Sequence, residues 1–511
     1  MAILRTPDGE RALPFGGERQ LVSDALRACG AALDMPCSGQ GKCGKCRVRC
    51  SGSLSPVTAR EREKLTEKEL ASGVRLACCA YLTGDDAVIT LAETAGIDAV
   101  TEGESIAFER DPLGKKLGLA ADIGTTTVAA YLYDLGTGAR LGEAAVKNPQ
   151  SSFGADVVSR QRHSLGGGAA ALKDAVRGCL ASLAGELCAG ALKTIADIDA
   201  AVLTGNTTML YLLMGYDVAD IAAAPFEAAH LFGDFVDAGG LLPGFSESCR
   251  VYLPPCISAY VGADITCAIL SSGMTRREGP VLLADIGTNG ELALFSGGKL
   301  LCCSTAAGPA FEGAGIACGS TALPGAVDRV SVENGDMRVH TIGEKPAASL
   351  CGSGLLDAAA ALLETGLLDE SGRLREERVF LGGTDVYITQ GDVRNVQLAK
   401  AAVRAGIETL LLRAGLTGGP IPELLIAGGF GSRLRPGSAA RIGLIPASML
   451  PRCAAIGNAA GSGAAAILLS RAALKRCREI VRAAETVELA SSPTFSEFFI
   501  EQMLFEQEDA T

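Results

Sequence analysis

Tryptophan is absent from the 511 residues, and histidine occurs only as His163, His230 and His340. No two of these histidines sit at zinc-ligand spacing, so metal chemistry built on histidine is not expected. Positive charge is also short: 46 Lys plus Arg against 58 Asp plus Glu leave a net charge of −12. Such a balance is poorly suited to neutralising phosphates, and no nucleic-acid partner is expected. No uninterrupted apolar run approaches the ~20 residues a bilayer span requires, so no membrane partner is expected either. The start, MAILRTPDGERALPF, lacks the basic stretch and apolar core of a secretory signal, which points to a cytoplasmic protein. Neither G-x-x-x-x-G-K-[ST] nor a G-x-G-x-x-G between strand and helix is present, which removes the two commonest nucleotide-loop grammars. What remains is ordinary core material, 48% hydrophobic and 20% charged, which excludes disorder. The length corresponds to about three structural units. Cysteine is abundant at 18 residues. In a reducing compartment these do not form a disulfide framework, so any metal is expected on sulfur.

Texture divides the chain. Residues 1–95 read as short strands and turns around a helix-like QLVSDALRACG, a Gly/Cys-rich loop, a charged helix AREREKLTEKEL and a closing strand pair. Residues 96–116 are weakly patterned and read as a linker, and 117–511 as Ala/Gly-rich α/β sequence. That last part repeats itself. KLGLAADIGTTTVAAYLYDLGTGARL and GPVLLADIGTNGELALFSGGKLL share one plan: apolar strand, Asp-Ile-Gly-Thr, second strand, Gly turn, third strand. Helical periodicity fills the rest, over 172–190, 355–368, 396–415 and 459–481.

Cys37, Cys43 and Cys46 form a C-x5-C-x2-C pattern in CSGQGKCGKC, and Cys78 follows in RLACCAY. Gly39, Gly41 and Gly44 let the loop curl so that its amides point inward at an anionic centre. Four thiolates, three from one loop and one from a distant strand, suit a 2Fe–2S cluster. Zinc would favour two C-x-x-C pairs or a histidine. Residues 1–95 resemble a β-grasp ferredoxin domain of the adrenodoxin-like branch. Either Cys78 or Cys79 is placed to be the fourth ligand, and the Leu-Ala-Cys pattern of that family favours Cys78. Cys29 and Cys50 are expected to pack as small apolar residues. Lys42, Lys45, Arg47 and Arg49 surround the loop, either as a solvated edge or as a docking patch for an acidic redox partner.

Each Asp-Ile-Gly-Thr loop is expected to turn back as a hairpin rather than lead into a helix. Small Gly and Thr residues let amides and hydroxyls approach phosphate, and an Asp at the strand end can hold hydrated Mg²⁺. The duplicated pair resembles the phosphate motifs of the acetate kinase, sugar kinase, heat-shock chaperone and actin superfamily. That resemblance implies two α/β lobes with ATP between them. It implies Mg²⁺ positioning by Asp122 and Asp285, with phosphate contacts from Thr125, Thr126, Thr288 and Asn289 beside Gly124 and Gly287. LLIAGGFGSRL resembles the adenosine motif, with Gly428 and Gly429 where backbone passes the nucleotide. LTGNTTM and IGNAAGSGAA look like its connecting segments. Catalysis falls to Asp285 and to Glu291, which either orients the attacking water or is an exposed residue at a strand start. Asn206 sits where kinases of this fold often carry an Asp, which disfavours phosphoryl transfer to a metabolite.

The fold expected is therefore α/β and α+β: a ferredoxin domain followed by a duplicated actin-like ATPase. This combination, with TAAGPAFEGAGIACG and CGSGLLD, resembles the reductive activators of corrinoid-dependent methyltransferases. The resemblance implies ATP-dependent transfer of one electron from the cluster to Co(II) of a corrinoid protein, restoring Co(I). It also implies an upstream electron donor and a homodimer through the ATPase half. No D-x-H-x-x-G signature occurs, so the corrinoid belongs to the partner. The short linker leaves no room for an additional middle domain. Three alternatives remain: an activator of a radical dehydratase, whose cluster cysteines would lie in the ATPase half among Cys302, Cys303, Cys318 and Cys351; a small-molecule kinase with a redox regulatory domain; and a chaperone-like ATPase.

Overall fold

Alternation of apolar and polar side chains builds the first sheet. In Arg47–Ser51 the burial alternates strictly, with Val48 and Cys50 facing inward. A computed structural model describes residues 2–6, 9–16, 19–29, 31, 33, 35, 37, 39–91 and 100–505. Its N-terminal sheet is mixed, in the order Gly9–Ala12, Ile3–Thr6, Val88–Thr90, Arg47–Ser51, Val74–Leu76. Ile3–Thr6 runs parallel to Val88–Thr90, and the helix Val22–Ala28 contributes Val22, Ala25 and Leu26 to the shared core. This is the β-grasp arrangement. The charged helix expected over 59–70 is two short helices, Ala59–Lys64 and Glu67–Ala71. The break has a local cause: T-x-x-E occurs twice, and Thr58/Glu61 and Thr66/Glu69 each close their own capping box.

The chain divides into two compact units, Met1–Gly96 with Lys147–Val176, and Ile97–Val146 with Arg177–Thr511. Residues 147–176 thus group with the N-terminal residues rather than with the ATPase part in which the sequence reading placed them. Ser152 donates to the Leu33 carbonyl at 3.3 Å, and Arg27 lies over the Phe153 ring. Of the linker expected at 96–116, residues 96–99 lie outside the described residues. The remainder is bound to the second unit by bridges Gly103↔Gly457 and Asp111↔Ser470.

In the second unit the sequence repeat is a structural repeat. Leu117–Ile123 pairs antiparallel with Thr127–Asp134, which pairs with Arg140–Lys147, while Ile198–Gly205 lies parallel on the other side. Val281–Ile286 pairs antiparallel with Gly290–Ser296, then Lys299–Thr305, with Glu423–Ala427 parallel on the other side. Both loops are hairpins, as expected. One core joins faces of both six-stranded sheets to the helices Ala263–Ser272 and Ala459–Leu469. The two helices cross so closely that a Cβ on Gly463 would lie 2.1 Å from the Cys267 carbonyl oxygen. The helical pattern over 459–481 breaks at Ser470, whose extended backbone and hydroxyl cap the next helix, Arg471–Ala483. Among the described residues, no helix is long and apolar enough to cross a membrane.

Candidate functional sites

The loop over 37–46 turns through three left-handed glycines, Gly39 (φ +79°), Gly41 (φ +71°) and Gly44 (φ +67°). A side chain at any of them would strain the backbone. The curl brings the thiols together in two pairs. Cys37 and Cys43 lie 3.3 Å apart through sulfur, and Cys46 and Cys78 3.2 Å. A tetrahedral centre with ~2.3 Å metal–sulfur bonds sets its ligand sulfurs about 3.8 Å apart, so each pair is close to the separation one iron imposes. Two pairs match the four thiolates that a 2Fe–2S cluster takes. Cys37 is pushed down to about 4 by the Cys43 thiol, against burial, with help from the amides of Cys43, Lys42 and Gln40. Inward amides of this kind favour an anionic sulfur cluster. The donor set fits the group.

Cys78 is held in place through the backbone. The Ala77 amide donates to the Cys46 carbonyl at 2.8 Å, and the Cys79 amide to the Leu76 carbonyl at 2.8 Å. Cys79 sulfur lies 3.7 Å from Cys78, one position outside the Cys46–Cys78 pair. Cys29 donates to the Ala25 carbonyl, and burial pushes the Cys50 thiol up to about 12. Of the surrounding cations, Arg47 is engaged: it bonds Glu69 at 2.6 Å and the Gly44 carbonyl at 3.0 Å, bracing the loop. Lys42 and Arg49 are exposed.

The second unit gathers four carboxylates. Asp122 and Asp285 close the first strand of each hairpin and keep partial contact with solvent. Asp264, in the first turn of Ala263–Ser272, stands beside them. Enclosure, then the charges of Asp122 and Asp285, push the Asp264 carboxyl up to about 8. Enclosure and Asp285 push Asp122 to about 7, against a hydrogen bond from Asn458. Enclosure alone pushes Asp285 to about 6. Glu291 is buried at 8% exposure, which decides against an exposed strand start. Burial, Asp264 and Asp285 raise its carboxyl well above the ordinary range.

The remaining residues selected from sequence converge here. Thr125 accepts a hydrogen bond from Asn206 at 3.1 Å, and the other end of the Asn206 amide caps the helix Thr207–Met214. Asn289 donates to Glu291. Gly428 adopts φ +86°, and a Cβ there would sit 2.4 Å from Asp285 Oδ1. Gly429 has nothing within 4 Å of its Cβ position. Gly124 and Gly287 follow the strands that end at Ile123 and Ile286, and the Gly287 amide donates to the Asn289 carbonyl at 2.9 Å. Two acids were not selected: Asp264, whose only local signal is that of an acid in a first helical turn, and Glu312. The Glu312 carboxylate accepts from Thr126 at 2.8 Å and from Thr288 at 2.8 Å, one hydroxyl from each hairpin loop. The ATPase-half cysteines serve the core. Cys302, Cys303 and Cys351 are buried, and burial pushes Cys302 up to about 12.

Three family models match successive parts of the chain. A "2Fe-2S iron-sulfur cluster binding domain" model matches residues 6–83, "RACo middle region" 117–277, and "C-terminal domain of RACo the ASKHA domain" 279–511. The middle-region match falls on the segment that carries the first six-stranded sheet, where we expected only the first lobe of the repeat. The corrinoid activation enzyme RamQ of Eubacterium limosum is 30% identical, covering 96% of this chain and 96% of its own. The [Co(II) methylated amine-specific corrinoid protein] reductase of Methanosarcina barkeri is 26% identical over 59% of this chain and 62% of its own. The solved structure of a reductive activator for corrinoid, iron–sulfur protein is 29% identical, covers 98% of both chains and superposes with a TM-score of 0.70.

Proposed function

The chain belongs to the family of reductive activators of corrinoid proteins, and from that premise we propose how its residues divide the work. It is an ATP-dependent activase whose substrate is the Co(II) form of a corrinoid protein, restored to Co(I). The observation that carries this reading is the presence, in one chain, of the paired thiols and the carboxylate-floored double hairpin. A 2Fe–2S cluster supplies the single electron. Cys37 and Cys43 hold one iron, and Cys46 and Cys78 the other, a reading supported by the two close sulfur pairs. An upstream donor replaces the electron after each transfer.

In the second unit, Asp122 and Asp285 position hydrated Mg²⁺, supported by the raised carboxyls that a divalent cation would relieve. Thr125, Thr126, Thr288 and Asn289 face the phosphates, with Gly124 and Gly287 permitting close approach. Gly428 and Gly429 leave room for the nucleoside, supported by the open space at Gly429. Glu291 orients the attacking water once a cation offsets the neighbouring Asp264 and Asp285 charges. We assign the domains as ferredoxin 1–95, linker 96–116 and ATPase 117–511, with 147–176 of the last grouping with the N-terminal residues. We also assign a homodimer through the ATPase half. A cytoplasmic setting fits the lack of any disulfide among the described cysteines.

The test mixes a Co(II) corrinoid protein with the reduced chain under anaerobic conditions, with and without MgATP. Co(I) absorbance is expected only with MgATP, and Cys43→Ser is expected to abolish it. A filled cluster and active ATPase that never yield Co(I) with several corrinoid proteins would overturn the reading.

A further inference from the structure

Glu312 ends the short turn Pro309–Glu312, which is set between Gly308 and Gly313, both at φ +77°. Its two carboxylate oxygens are divided between the loops: Oε1 accepts from Thr126 and Oε2 from Thr288. A hydroxyl carries one proton. While Thr126 and Thr288 donate to Glu312, neither can donate to a phosphate oxygen. A carboxylate so placed also repels the charge that a polyphosphate brings. Donation of these two hydroxyls to Glu312 and donation to a phosphate therefore exclude one another.

The turn is tied to more than the loops. Phe311 stacks on Phe430, next to Gly428 and Gly429, with ring centroids 5.1 Å apart and planes 2° from parallel. The Phe311 carbonyl lies 1.8 Å from where a Cβ on Gly352 would be, so the turn is packed on the start of the helix Gly352–Glu364. Beyond the turn, the Gly315 carbonyl accepts from Asn395 at 2.9 Å, and the Ala317 amide donates to Asp392 at 2.7 Å. Both partners belong to the helix Gln390–Arg413. Ala306, Gly315 and Ala317 are exposed. The segment 306–317 thus runs without a break from the two hairpin loops to exposed positions of the second unit.

We propose that Glu312 is a positioning residue that responds to the terminal phosphate of a nucleoside triphosphate. It bridges the two loops when no triphosphate competes for the hydroxyls, and it releases the 306–317 segment when phosphate takes over Thr126 and Thr288. This inference rests on the reading of the cleft as a nucleotide site, and it deepens that reading by naming where the nucleotide state becomes visible outside. A residue that only held the fold together would not alter the nucleotide response of one segment.

The test uses the full cluster-loaded chain and its Glu312→Ala and Glu312→Gln variants. MgATP, MgADP and a non-hydrolysable ATP analogue are titrated by calorimetry, and hydrogen exchange is followed over 306–320. In the unaltered chain the ATP analogue should speed exchange of this segment, and MgADP should do so less. Glu312→Ala should exchange fast without nucleotide, lose the response, and bind the analogue about thirtyfold tighter, the size of two net hydrogen bonds no longer broken. Glu312→Gln keeps an acceptor but not the charge, so it should retain protection of the segment in the empty state while also binding the analogue more tightly. Unchanged or weaker binding by both variants would make Glu312 an ordinary ligand or a bystander and overturn the inference. So would exchange over 306–320 that ignores nucleotide while binding is intact. Failure of the unaltered chain to bind MgATP at all would overturn the nucleotide-site reading first, and this inference with it.

Discussion

The turn that presents Cys78 hangs from a buried ion pair, and breaking that pair should loosen the ferredoxin fold selectively. Glu61 and Arg75 have side chains 0% and 8% exposed. The carboxylate accepts from Arg75 Nε at 2.8 Å and Nη2 at 3.0 Å, and from the Leu76 amide at 3.1 Å. It also closes the capping box with Thr58. Arg75 in turn donates to the Ser55 and Pro56 carbonyls. Burial by itself raises the Glu61 carboxyl, but Arg75 and the Thr58 and Leu76 amides outweigh it and hold the group below its ordinary range. The charged pair therefore contributes at neutral pH and is lost as pH falls through that lowered value. Arg75→Met keeps the length and removes the charge, leaving Glu61 buried without a counter-ion. Removing one partner of such a pair costs about 3–5 kcal/mol. At about 1.4 kcal/mol per decade, that is roughly two to four orders of magnitude in local opening. Hydrogen exchange of the full chain over 74–82 measures it, alongside loss of the cluster's visible absorbance. Glu61→Leu with Arg75→Met should recover part of the loss, because no orphaned charge remains. Acceleration of less than about tenfold in Arg75→Met would put the pair in the class of exposed ion pairs and refute the reasoning.

The carboxylates of the second unit make predictions of their own. Gly428→Ala places a methyl 2.4 Å from Asp285 Oδ1 at φ +86°, so ATP hydrolysis should fall at least tenfold while melting drops by an amount equivalent to about 1–3 kcal/mol. Wild-type hydrolysis in that variant would remove Asp285 from the site. Asp122, Asp264 and Asp285 carry carboxyls raised to about 7, 8 and 6. In this range the folded state holds protons that the unfolded state has released, so without divalent cations their contribution to stability falls as pH rises from the ordinary carboxylate range toward 8. Melting in EDTA should show that fall and Mg²⁺ should flatten it with release of protons; equal slopes with and without Mg²⁺ would contradict the cation site. Cys78→Ser should lose the cluster and Cys79→Ser keep it, read by iron content. The reverse result would exchange their roles.

Local grammar made much of this protein readable. Three of the four cysteines we assign to the cluster lie within ten residues with glycines between them, so spacing alone brings their sulfurs near one another. The two Asp-Ile-Gly-Thr segments are hairpins because strand, turn and strand are contiguous, and their duplication reveals the lobes. The two T-x-x-E boxes that split the helix expected over 59–70 were also written locally, although a run of charged helix formers concealed the break. Other features had no local signature. Asp264 and Glu312 are single acids whose neighbours come from hairpins far away in sequence, and Glu291 looks like a strand-start residue until Asp264 and Asp285 enclose it. The grouping of 147–176 with the N-terminal residues depends on contacts such as Arg27 with Phe153. By itself, then, the sequence determined the thiol loop and the repeated frame, because bond geometry and backbone preference act over a few residues. Only the tertiary structure decided which acids share a charge and which hydroxyls share a carboxylate, because burial and electrostatics depend on distance through space.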